Sequence, residues 1–289
     1  MPTLRLIVRY DGMHLSGWQR QPGVRTVQQS LEQAIESMTA TPTRVAGAGR
    51  TDAGVHAYAQ VAAFKTESKI SCMGWRLGLN SKLPKDVAVT DVRVVQDDYD
   101  PRRASGGKRY RYLICNTPTR DPMLRDRAWH IHQPLDVERM QEAAKPLVGT
   151  HDFAGFRASD CERMSTKRTL FRVEILRDFR GSLGLIAIEV EGTAFLKNMV
   201  RIIAGTLVDI GRNRLAVTTL ADVLAHGDRT KAGITAVAHG LYLDEVFVRA
   251  EYRLPDDVLN LRPAYADRIL GIEPDDAALD ESDDGADEG

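Results

Sequence analysis

Residues 49–56, G-R-T-D-A-G-V-H, place a guanidinium, a hydroxyl and a carboxylate in consecutive positions with a glycine on each side. A lone carboxylate such as Asp52 can serve as a nucleophile or a base, with Arg50 and Thr51 beside it as binding groups. The stretch lies between two apolar runs, 43–48 and 60–65, so it reads equally as a hairpin connection, because Gly and Asp are the usual turn residues. A turn explains the glycines. It does not explain why Arg50 adjoins Asp52, or why His56 and Tyr58 follow so closely.

Two further stretches carry reactive or charged groups. Residues 101–112, P-R-R-A-S-G-G-K-R-Y-R-Y, hold five basic residues and two tyrosines. Basic groups neutralise phosphates and tyrosine rings stack on exposed bases. If 108–114 is a strand, Tyr110 and Tyr112 share one face and Arg109 and Arg111 the other. The alternative is a solvated basic loop entering a strand whose tyrosines pack in the core. Residues 195–210, F-L-K-N-M-V-R-I-I-A-G-T-L-V-D-I, predict a helix that is apolar nearly all round after its first turn except at Arg201. A buried arginine needs a carboxylate, since stripping an unpaired charge of water costs several kcal/mol. Asp52 is a candidate partner, and an ion pair within the second half is the alternative. Asp209 is a poor one, about 12 Å along the helix at the ordinary rise.

A carboxylate fixed by an arginine is expected to have a lowered pKa and to stay ionised. That suits a nucleophile or base, not a proton donor. No second carboxylate stands out for a glycosidase-type pair. Neither a G-x-x-x-x-G-K-[ST] phosphate loop nor a deaminase signature of H-x-E with C-x-x-C occurs.

The elements that must position these groups follow from periodicity. Residues 4–9 alternate as a half-buried strand and run into the turn Tyr10-Asp11-Gly12. A polar loop carries Trp18 and Arg20. Thr26 caps a helix bearing Val27, Leu31, Ala34, Ile35 and Met38, two strands flank the Asp52 loop, Ser71 caps a second helix, and 87–95 is a strand. A second pass follows: a strand at 109–115, a short one at 129–132, a helix from Asp136 to Leu147, strands at 169–176 and 185–190, the 195–210 helix, another at 218–224, and a strand at 241–248. The expected fold class is α+β, with two ferredoxin-like β-α-β-β-α-β halves whose sheets join around a central cleft. The expected divisions are 1–105, 106–250 and an extension at 251–289.

The 289 residues, 43% apolar and 27% charged, fit a soluble globular protein. No apolar run reaches the length of a membrane span, and the N-terminus lacks the apolar segment of a secretory signal, so a cytoplasmic protein with no membrane partner is expected. Cys72, Cys115 and Cys161 are scattered with no C-x-x-C, which suggests free thiols and no zinc site. His130 and His132 share a strand face but lack further ligands nearby, so no metal is expected. Net charge is −1, yet nine of the 40 acidic residues fall in 273–289, a stretch without Lys or Arg. The remaining 31 acids face 39 bases, leaving +8 over residues 1–272, which suits a polyanionic partner. The acidic tail itself reads as disordered.

Taken together, G-R-T-D-A-G-V-H at 49–56 resembles the signature of the tRNA pseudouridine synthase A family. Tyr10-Asp11-Gly12 with Gly17-Trp18-Gln19-Arg20-Gln21 resembles that family's N-terminal segment, and Lys108-Arg109-Tyr110-Arg111-Tyr112 its second motif. Phe195 with Met199-Val200-Arg201 resembles the third, and Gly240-Leu241-Tyr242-Leu243 the closing strand. The resemblance covers roughly residues 4–248 and does not reach the tail. It implies the pseudouridine synthase fold, Asp52 as the catalytic aspartate, Tyr110 as the residue that stacks on the target uracil, and Arg201 as the partner of Asp52. It further implies conversion of uridine to pseudouridine at tRNA positions 38–40, in the anticodon stem-loop, by a homodimer without cofactor or metal. Arg20, Arg102, Arg103, Arg109 and Arg111 would hold phosphates, and Arg50, Thr51 and Leu243 would line the substrate site. An RNA-binding protein without chemistry, or a glycosidase that releases the base, are the rival readings. The first has no need of a carboxylate beside phosphates, and the second wants another acid near Asp52.

Overall fold

The structure is a computed structural model that describes residues 1–161, 164–263 and 266. The tail at 273–289, expected to be disordered, lies outside the described residues. In chain order the elements are β1 (Thr3–Tyr10), α1 (Val27–Thr39), β2 (Ala46–Gly47), β3 (His56–Lys65), α2 (Cys72–Lys82), β4 (Val87–Val95), β5 (Ser105–Cys115), β6 (Trp129–His130), α3 (Val137–Ala144), β7 (Gly149–Asp152), β8 (Lys167–Leu176), β9 (Leu185–Gly192), α4 (Met199–Gly211), α5 (Thr219–His226) and β10 (Leu241–Val248). Side chains that accept from the first turn start three of the helices: Thr26 from the Gln29 amide, Ser71 from Gly74 and Asp136 from Arg139.

All ten strands join one sheet in the order β4-β1-β3-β10-β5-β9-β8-β7, with β2 on β3 and β6 on β5. The first half runs β4-β1-β3-β2 and the second β10-β5-β9-β8, the same order in each, as two split βαβ units require. The halves meet where β10 lies parallel to β3, pairing Tyr242 with His56 and Leu243 with Ala57. The closing strand of the chain therefore sits between β3 and β5, in the middle of the sheet.

The helices of both halves cover one continuous core. Leu6, Val8 and Phe64 pack with Leu31, Ile35, Trp75 and Leu79, and Tyr112, Ile188 and Val190 with Met140, Ile203 and Leu207. Alternation along the strands sends the intervening residues to the other face, and there charged side chains lie beside a small apolar cluster of Leu113, Cys115, Ala187 and Tyr242. Arg109 reaches Glu191 (2.7 Å) and Glu245 (3.0 Å), and Arg111 reaches Glu189 (2.7 Å) and Asp244 (2.5 Å). Arg5 of β1 donates twice to Asp257, at 2.8 and 2.6 Å, and both side chains are fully buried. Asp257 belongs to a strap, residues 249–263, that returns to the first half. The Arg249 amide donates to the Ala104 carbonyl (3.0 Å) and Tyr252 meets the Tyr99 ring edge-on at 5.8 Å.

Several boundaries differ from expectation. The 195–210 helix begins only at Met199, because Asn198 is left-handed (φ 62°) and turns the chain into α4. The helix from Asp136 is α-helical to Ala144 and closes as a 3-10 turn over Lys145–Leu147, where Pro146 lacks the amide hydrogen needed to continue it. The strand at 129–132 is two residues long, and β7 had no counterpart in the pattern. Among the described residues no helix is long and apolar enough to cross a membrane.

Candidate active site

The Asp52 loop is held by backbone that comes very close to it. The Trp18 amide donates to the Thr51 carbonyl at 3.1 Å. Gly17 sits at φ +83°, and a Cβ there would fall 2.4 Å from the Thr51 oxygen. A Cβ on Gly12 would fall 1.9 Å from the Val55 oxygen. The glycines of the two N-terminal motifs thus leave space for the loop to lie flat on the 12–18 segment. On its other side the Gly49 carbonyl accepts from Gln60 Nε2 (2.7 Å), and the buried Thr51 places Oγ1 2.8 Å from the Tyr10 hydroxyl. His56, just after the loop, accepts the Gly12 amide on Nδ1 (3.1 Å) and donates from Nε2 to the His239 carbonyl of the second half (3.1 Å). Burial holds the His56 ring below its ordinary pKa, although the Asp11 carboxylate lies 3.0 Å from Nδ1.

Arg201 enters from the second half. Its Nε donates to the Ala236 carbonyl and its Nη1 to Asn198 Oδ1, each at 2.8 Å. So held, Nη1 stands 4.0 Å from Asp52 Oδ2, an ion pair across the seam at a distance too long for a hydrogen bond. The Asp52 side chain is 35% exposed and that of Arg201 18%. Tyr110 is buried, opposite Leu243 of β10 and Val190 of β9, with the Phe195 ring edge-on at 4.9 Å and 77°. Burial, helped by the Asp52 carboxylate nearby, pushes the Tyr110 hydroxyl above the ordinary tyrosine value.

The expected lowering of the Asp52 pKa is corrected here. Burial raises it, and this exceeds the pull of Arg201 and Lys197, while Asp160 raises it further. The arginine is close enough to hold the carboxylate but at 4.0 Å does not offset its loss of water.

The residues named from sequence fall into three places. Asp52, Tyr110 and Arg201 come together at the seam, and Thr51 and Leu243 are buried. Arg20, Arg50, Arg102 and Arg103 are exposed, Arg20 with Nη1 3.3 Å from Glu32. Arg109 and Arg111 lie on the opposite face of β5 from Tyr110, engaged by Glu189, Glu191, Asp244 and Glu245, because β9 and β10 bring carboxylates alongside them. Tyr10, Lys197, Asn198 and Asp160 were not singled out from sequence. Tyr10 could have been: it falls in phase with Leu6 and Val8 on the inward face of β1.

The arrangement pairs one half-buried carboxylate, tied to a cation from the other half, with an aromatic ring next to it. That constellation can act on a carbon or a proton of a ligand whose flat part lies against the ring. Comparison with known proteins points the same way. The model of a family described as tRNA pseudouridine synthase matches residues 6–102 and 143–247. The chain is 46% identical over 250 residues to the tRNA pseudouridine synthase A of Myxococcus xanthus, covering 86% of this chain and 93% of that protein. It is 44% identical over 247 residues to that of Geotalea uraniireducens (86% and 100% covered), and 44% over 254 residues to that of Pseudoalteromonas atlantica (87% and 94%). With the family model spanning well over half of its length, and relatives this similar matched nearly end to end, the chain belongs to the tRNA pseudouridine synthase family.

Proposed function

We propose that the protein isomerises uridine to pseudouridine in tRNA, at positions 38–40 of the anticodon stem-loop, with Asp52 as the acting carboxylate, Tyr110 stacking on the target base and Arg201 holding Asp52. The observation that carries this assignment is the 4.0 Å approach of Arg201 Nη1 to Asp52 Oδ2 beside a buried Tyr110. The target nucleotide must leave its stack to reach them. The N1–C1′ bond then breaks, the uracil turns, and C5 bonds to C1′. The C5 hydrogen leaves as a proton and N1 gains one, so the reaction balances without an oxidant or an outside group. Ionised Asp52 has two routes: attack on the sugar carbon, or removal of a sugar proton.

The excess of positive charge over residues 1–272 supports binding of a polyanion. The exposure of Arg20 and Arg50 supports their meeting phosphates, whereas Thr51 and Leu243 act by supporting Tyr10 and Tyr110. A homodimer working in the cytoplasm belongs to the same proposal and rests on the family resemblance.

The test is to incubate the pure protein with unmodified tRNA transcripts and map pseudouridine. Product at 38–40 is expected, with none from Asp52→Asn, which still binds tRNA. Full activity in that variant removes Asp52 from the mechanism, and free uracil as the main product makes the protein a glycosidase. Sedimentation of the pure protein reads the oligomeric state.

A further inference from the structure

Beyond Arg201, two further charges act on Asp52: Lys197, which draws its pKa down, and Asp160, which raises it. Lys197 lies four positions before Arg201 and is held quite differently. Arg201 is fixed by two acceptors of its own half. Lys197 Nζ instead bonds Asp160 Oδ2 at 2.6 Å, with the two side chains 45% and 67% exposed. The Ala158 amide donates to the Lys197 carbonyl at 3.1 Å, which pins the loop bearing Asp160 alongside this lysine.

An ion pair this exposed adds little to stability, so stability does not account for it. Nor does RNA binding favour a carboxylate at the edge of a site that must accept phosphates, since like charges repel there. The two facts agree if the carboxylate is there only while RNA is absent. In the empty protein Asp52 and Asp160 balance Arg201 and Lys197. An incoming phosphate can take over the role of Asp160 and leave that balance unchanged.

We propose that Asp160 stands in for an RNA phosphate, and that Lys197 passes from Asp160 to a phosphate flanking the target uridine when tRNA binds. This rests on the isomerase reading and adds a positioning residue to it. Lys197 touches the backbone of the reacting nucleotide, and Asp160 acts through Lys197 by keeping it extended into the site and by yielding to the proper ligand.

The test measures tRNA affinity across a salt series in the Asp52→Asn background, where the substrate stays intact, for Asp160→Asn, Lys197→Met, Lys197→Arg and the Asp160→Asn/Lys197→Met pair. Asp160→Asn is expected to bind roughly threefold to tenfold tighter, because no internal partner must be displaced. Lys197→Met is expected to bind more weakly, with its log–log salt slope smaller by about 0.7–0.9, the loss of one phosphate contact. The double variant should bind like Lys197→Met alone, and Lys197→Arg near the parent. With Asp52 restored, Lys197→Met should raise KM more than it lowers kcat. Asp160→Asn binding no tighter than the parent, or Lys197→Met with an unaltered slope, overturns the proposal. Failure of the isomerase reading shows separately, as wild-type protein that binds tRNA and yields no pseudouridine.

Discussion

The Tyr10 hydroxyl lies 2.8 Å from Thr51 Oγ1, and both residues are buried. The last residue of β1 is thereby tied to the residue just before Asp52, with Gln60 of β3 as a further neighbour of the hydroxyl. Asp52 is placed by this bond, the Trp18 amide and the Gly17 backbone.

Thr51→Val removes the hydroxyl with little change of shape. The variant is expected to lose about 1 kcal/mol, as is Tyr10→Phe, and the double variant less than the sum of both. Urea unfolding measures this. Looser placement of the Asp52 loop should lower kcat roughly tenfold in Thr51→Val, since small displacements of a reacting group are costly.

Gly17 and Gly23 are both left-handed, at φ +83° and +75°, but only Gly17 faces another backbone atom. Gly23→Ala is expected to cost about 1 kcal/mol, from conformation alone. Gly17→Ala should cost more, about 2 kcal/mol or above, and should also depress pseudouridine formation, because its Cβ would press on the Thr51 carbonyl. Equal effects at the two positions would remove Gly17 from the support of the site.

Burial raises the Asp52 pKa in the folded protein, so the folded chain holds its proton to higher pH than the unfolded chain does. Stability from this group is therefore fully present below the unfolded value and falls as pH rises through the folded one. Asp52→Asn should raise the unfolding midpoint at neutral pH, and the gain should vanish in acid. The same shift moves the acid limb of kcat/KM above the ordinary aspartate value of about 3.9. Thermal unfolding and a pH–rate profile check the two halves of this prediction.

Arg5→Met would leave the Asp257 carboxylate buried without its cation. A loss of about 3–5 kcal/mol is expected, and much less when Asp257 is replaced by an apolar residue in the same chain. Denaturant titration of the single and double variants decides this.

Much of the site could be read from residue types and spacing. The 49–56 loop, the sharing of one face by Tyr110 and Tyr112, and the need of Arg201 for a distant carboxylate all follow from local chemistry and strand alternation. The caps at Thr26, Ser71 and Asp136 were equally visible, because a side-chain oxygen three residues before an amide is a local event. What could not be read depends on neighbours distant in sequence. Arg109 and Arg111 look like phosphate ligands until β9 and β10 bring four carboxylates beside them. The pKa direction of Asp52 turns on how much water the second half excludes, and the start of α4 on a left-handed asparagine. Arg5 gave no sign of a partner 252 positions away.

Because β10 is the strand that lies between β3 and β5, the two halves of the sheet have no bridge until residues 241–248 exist. A nascent chain can shape its first half early, with Asp91 3.9 Å from Arg5, but the paired carboxylate of Asp257 and the strand that lies beside His56 and Ala57 of β3 come only later. The Asp52 carboxylate and the Arg201 guanidinium thus meet only once β10 has formed. A polypeptide truncated before β10 would carry Asp52, Tyr110 and Arg201 and still lack the strand that joins the two halves of the sheet.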